Sequence, residues 1–87
     1  MQEIENKIKQ LLIEDLQADA ALITNANAET PLLGRGIGLD SVEALRLGLG
    51  MENAFDLSIP DQDLTAELFA TLGTLTQYVY ARTHARS

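Results

Sequence analysis

The sequence predicts an all-α fold: a small four-helix bundle, three main helices plus one short helix, with a long loop between the first and second main helices. Three observations carry that prediction. Apolar residues recur at helical spacing in three separate segments, while no run alternates with the two-residue period of a strand. Two of these segments open on Asp or Thr, the residue types that cap helix N-termini. A chain of 87 residues also has room for one modest core, burying about 60 to 65% of its unfolded surface. Residues 1–87 therefore read as a single domain.

The first helix is predicted in "QEIENKIKQLLIEDLQ", where Ile4, Ile8, Leu11, Leu12 and Leu16 share one face and Glu3–Lys7 and Glu5–Lys9 form outward pairs. From Ala18 to Leu39 no periodicity is clear. Loops of that length are uncommon inside a compact domain, yet Leu22, Ile23, Leu32, Leu33, Ile37 and Leu39 give this one enough apolar surface to dock. Gly34, Gly36 and Gly38 supply a flexible backbone at its end. The second main helix is predicted from Asp40 to near Asp56, with Val42, Leu45, Leu49 and Phe55 inward and Leu47 and Met51 on the flank. After "SIP", Thr65 is positioned to cap a short helix through "AELF". Thr71 then caps a longer one with Leu72, Leu75 and Val79 inward and Arg82 and Arg86 at its negative end.

Thirteen acidic residues against six basic ones give a net charge of −7, which repels phosphate backbones and anionic lipid heads. Neither nucleic acid nor a membrane is expected as a partner on that ground. The opening "MQEIENKIKQ" alternates charges where a signal peptide needs an apolar run, and no stretch reaches the roughly 20 apolar residues of a membrane span. A soluble, cytoplasmic protein is expected. With no cysteine there is neither a disulfide framework nor a thiolate nucleophile or metal ligand.

Several chemistries fail on their own requirements. "GRGIG" lacks the Lys-Ser/Thr and the preceding strand of a phosphate loop. His84 lies near the C-terminus, so a Ser-His-Asp relay would need a chain end folded onto a distant serine. Asp56, Asp61 and Asp63 in "DLSIPDQD" lack the glycine and terminal glutamate of a calcium loop, so no metal site is expected. Tyr78 and Tyr80 have no companions for a base-stacking platform.

Ser41 remains. Asp40 fits a helix N-cap and Glu43 completes a capping box, which puts Ser41 at the first helical position with its side chain toward solvent. The positive end of the helix favours an anion attached there, partly offset by repulsion from Asp40 and Glu43. On spacing alone the simpler reading is that Ser41 starts a helix well. A self-activated nucleophile is excluded, because no general base is placed for it.

The stretch "GLDSVEALRLGLGMENAFDLSIPDQDL" resembles the acyl carrier protein family, and the resemblance extends over essentially the whole chain. Its motif is Asp40-Ser41-Val42, with valine where the family usually has leucine. The resemblance implies that Ser41 accepts a 4'-phosphopantetheine arm from coenzyme A, transferred by a separate phosphopantetheinyl transferase to which Asp40 helps present the site. It implies a non-catalytic carrier, monomeric, holding acyl cargo as a thioester in a specialised fatty acid, polyketide or lipid pathway. Acyl-loading and acyl-using enzymes with basic surfaces would meet it at Glu43, Arg46, Glu52 and Asp56, since residues 40–63 hold six acids against Arg46 alone. Cargo would lie among Val42, Leu45, Gly48, Leu49, Phe55, Ile59 and Leu75. An aminoacyl or peptidyl carrier shares the same arm, and an unmodified helical interaction module is the alternative without one. Two departures stand out. Arg46 and Asn53 occupy positions that are commonly acidic in the family, and Gly48 and Gly50 stand in mid-helix at about 0.8 to 1 kcal/mol each against alanine. Gly48 is expected either to enlarge the cargo space or to be a tolerated defect.

Overall fold

In the computed structural model, which describes residues 2–34 and 36–84, four α-helices follow one another: α1 (Gln2–Glu14), α2 (Ala20–Thr24), α3 (Ser41–Phe55) and α4 (Leu72–His84). A single 3-10 turn (Asp61–Asp63) lies between α3 and α4. The molecule is all-α: among the described residues there are four helices and no strands, only two isolated β-bridges. No helix among them is long and apolar enough to cross a membrane.

The first helix forms because its apolar residues fall on one stripe. Ile8 and Leu12 are fully buried, while Ile4, Leu11 and Leu16 pack partly against the core. Of the outward pairs, Glu5–Lys9 closes at 3.6 Å and Glu3–Lys7 does not. Gln17 takes a left-handed φ of 55°, and the Ala18 N–H returns to the Leu12 carbonyl, which stops the helix. Each of the other three helices packs against α1.

The long loop holds α2, a helix the periodicity did not predict. Five residues are too few to show a period, but Asp19 caps them by accepting from the Ala21 N–H at 2.9 Å. Ile23, Leu32 and Leu39 dock into the core as the apolar density of the loop predicts, whereas Leu22 stays outside. The loop also closes the N-terminus of α4. The Leu72 and Gly73 N–H groups, orphaned within their own helix, donate to the Thr30 and Ala28 carbonyls. A Cβ on Gly73 would stand 2.7 Å from that Ala28 oxygen, so glycine is required for the approach.

Two expectations need correction. The inward residues of α3 are Ala44, Leu47, Gly48 and Met51, whereas Val42, Leu45 and Leu49 face solvent and Phe55 is only partly buried. Both sets have helical spacing, and tertiary packing chose the one that includes small residues. The short helix expected after Thr65 is instead a run of turns, with the Leu68 N–H reaching both the Thr65 carbonyl and its Oγ1. The α4 reading holds: Thr71 Oγ1 accepts from the Thr74 N–H at 3.1 Å, and Leu72, Leu75 and Val79 are fully buried. Arg82 lies in its last turn, while Arg86 and the His84 side chain lie outside what is described.

Arg82 also ties α4 to the segment after α3. Its guanidinium donates to the Ser58 carbonyl at 2.7 Å and to the Tyr78 hydroxyl at 3.3 Å, and pairs with Asp63 at 3.8 Å. Tyr78 donates to Asp63 at 2.8 Å. Burial, first, and then this hydrogen bond push the Tyr78 pKa above its ordinary value, against the pull of Arg82.

Candidate functional site

The N-terminus of α3 is set from both sides. Upstream, Gly34, Gly36 and Gly38 all take positive φ, and the chain then returns so that the Leu39 N–H meets the Leu32 carbonyl at 2.8 Å with Leu39 buried. Downstream, the capping box forms in full. The Asp40 carboxylate accepts from the Glu43 N–H at 2.8 Å, and Glu43 accepts from the Asp40 N–H at 3.1 Å. These two carboxylates are thus spent partly on each other's backbone.

Between them Ser41 is exposed at the first helical position. Its hydroxyl has no hydrogen-bond partner among the described residues, and the N–H groups of Ser41 and Val42 are too early in the helix for an intrahelical acceptor. Arg82 reaches Ser58, so α4 ends beside the far end of α3. A helix of 15 residues spans about 22 Å, which separates Ser41 from the end of α4 that carries His84. No described side chain stands ready to take the serine proton.

Beside the hydroxyl opens a cavity of about 420 Å³. It is lined by Ser41, Ala44 and Leu45 of α3, by Leu33 and Leu39 of the loop, and by Leu64, Thr65, Ala66 and Phe69 of the segment between α3 and α4. Apart from Ser41 and Thr65 the lining is apolar. The site can therefore present a nucleophilic oxygen for modification from outside and shelter an apolar chain next to it.

The structure gathers only some of the residues that the sequence singled out. Leu45 lines this cavity; Gly48 lies behind its wall, under Leu64 and Phe69. Val42 and Leu49 point outward, and Phe55, Ile59 and Leu75 belong to the core without lining the cavity. Glu52 accepts from the Ile59 N–H at 2.8 Å and pins the turn after α3, while Asp56 is exposed at the left-handed C-cap. Arg46 is exposed, with no ion pair among the described residues. Sequence reasoning missed Leu33, Leu39, Ala44, Leu64, Thr65, Ala66 and Phe69 as a lining. The first two carried a signal as apolar residues in a glycine-rich loop, but the others come from a turn segment whose path no periodicity reveals.

A family model described as a phosphopantetheine attachment site matches residues 6–79, a span that takes in α2, α3 and most of α1 and α4.

Proposed function

The chain belongs to the phosphopantetheine attachment-site family, and from that premise we propose that it is an acyl carrier protein primed at Ser41. The group that such a domain receives is 4'-phosphopantetheine, and a carrier of this kind meets a phosphopantetheinyl transferase and acyl-handling enzymes. The observation that carries the assignment to Ser41 is its exposed, unpartnered hydroxyl at the start of a fully capped helix, on the lip of an apolar cavity.

The surroundings fit a phosphoester. The Ser41 and Val42 N–H groups and the positive end of α3 favour the anion, and the two nearby carboxylates are engaged in the capping box. Ser41 Oγ forms the new ester bond to the pantetheine-side phosphorus of coenzyme A as the pyrophosphate P–O bond breaks and adenosine 3',5'-bisphosphate leaves, and the serine proton goes to a base on the transferase, since no described side chain of this protein is placed to take it. Asp40 fixes the backbone that presents the hydroxyl. When bound, the arm supplies a terminal thiol that carries acyl groups as thioesters. The chain itself acts as a non-catalytic carrier, one domain holding cargo at high effective concentration for successive enzymes.

The apolar lining supports acyl cargo over an aminoacyl group, in a specialised fatty acid, polyketide or lipid pathway. The net charge of −7 supports partners with basic rims, steered over distance. At contact range the face next to Ser41 offers Val42, Leu45, Leu49 and Arg46, with Asp56 at its far end, while Glu43 and Glu52 are engaged within the fold. Incubation with a transferase and coenzyme A should add the mass of one phosphopantetheinyl group to the wild type and none to Ser41→Ala with unchanged helical circular dichroism. A wild type that several transferases leave unmodified would return the chain to the interaction-module reading. Loading by an acyl ligase against an amino-acid-activating ligase separates the two carrier types.

A further inference from the structure

Leu64 and Phe69 line the cavity beside Ser41, and both also approach α3 at Gly48, just behind the cavity wall. Gly48 follows Ala44 by four residues, so the two share a face, and it is buried. A Cβ built on Gly48 would stand 3.2 Å from Leu64 Cδ2 and 3.9 Å from Phe69 Cζ. The missing side chain thus leaves no void: the tip of Leu64 occupies the notch.

The two residues over the notch differ in how firmly they are held. Phe69 is 3% exposed. Leu64 is half-buried and follows the 3-10 turn, with its N–H on the Asp61 carbonyl at 3.0 Å, in a stretch that forms turns and no helix. A leucine rotamer change is fast, and an apolar chain entering as Leu64 leaves would replace one buried apolar surface by another. Gly48, in contrast, is a fixed part of α3. A glycine in a helix interior is unfavourable against alanine, so its presence here calls for a use.

Resting on the acyl-carrier reading, we propose that Gly48 and Leu64 together set the length of straight acyl chain that this protein shelters. Leu64 seated on Gly48 is the end stop for a short chain. For a longer one it swings away, and the tail lies over the bare backbone of Gly48 in the place that the leucine tip held.

The test uses the full chain, primed and loaded with hexanoyl or dodecanoyl, and reads the melting temperature of each against the primed, unacylated form of the same variant. Preferential burial of cargo in the folded state raises it, so the wild type should gain with both chains and more with dodecanoyl. Gly48→Ala should keep the hexanoyl gain and reduce the dodecanoyl gain to the same level. Leu64→Ala, which removes the stop and leaves the notch, should enlarge the dodecanoyl gain beyond that of the wild type, and it keeps the test decisive if Gly48→Ala folds poorly. A dodecanoyl advantage that survives in Gly48→Ala, or that does not grow in Leu64→Ala, overturns the proposal while leaving the carrier reading intact. Loaded wild type that gains from neither chain overturns it by showing that cargo is not sheltered, and failure to prime overturns the carrier reading itself.

Discussion

One face of α3 puts Leu47 and Met51 fully into the core, together with the buried Ala44 and Gly48, while the other holds Val42, Leu45 and Leu49 at 66%, 49% and 55% exposure. The residue types are alike and both sets repeat at helical spacing. Of the five large apolar side chains exposed among the described residues, these three lie together beside Ser41, so they form a patch where scattered leucines would need no explanation. The inner face holds the fold; the outer one is apolar surface left exposed next to Ser41, the proposed site of modification. What separates them is the company each keeps: small residues let the inner face meet the rest of the bundle closely, and Arg46 and Asn53 keep the outer one in water.

The largest effect is expected from truncating the inner face. Leu47→Ala should lose about 2 to 5 kcal/mol of unfolding free energy in urea melts, the usual cost of removing a fully buried leucine side chain. Leu49→Ala, the same change two residues on, should stay within about 0.5 kcal/mol of wild type. Equal losses would mean that the outer residues are core after all.

Asp40→Ala tests the end that both faces share. It removes the acceptor for the Glu43 N–H, and thermal or urea unfolding should register a loss of about 1 kcal/mol. Gly50→Ala acts in the opposite direction. Its new Cβ would meet the flexible Asp15 carboxylate at 3.3 Å and Leu11 at 3.7 Å, so a small shift accommodates it and stability should rise by about 0.4 to 1 kcal/mol. A loss there would show that α1 and α3 need the bare backbone at Gly50 to pack. The smallest change in stability belongs to Leu49→Gln, for which no measurable shift in melting temperature is expected. Its effect should appear instead as slower loading by an acyl ligase, and loading at the wild-type rate would remove Leu49 from the contact face.

The sequence alone determined several features that depend on neighbours along the chain. The capping box at Asp40 and Glu43 was legible because its hydrogen bonds span three residues. The glycine turn before it, the Thr71 cap and the buried stripe of α4 were legible for the same reason, and so was Ser41, whose place follows from the cap. Only the tertiary structure decided what depends on segments distant in sequence. The face of α3 that turns inward was ambiguous because apolar residues ring the helix, and periodicity gives spacing without phase relative to a partner. The segment after Thr65 became turns because its apolar residues cover α3, and that packing, with the Arg82 and Tyr78 contacts to Ser58 and Asp63 just before it, outweighs a weak local helix preference. The cavity wall was beyond reach for the same cause: Leu64 and Gly48 are sixteen residues apart, and only the folded chain lays one on the other.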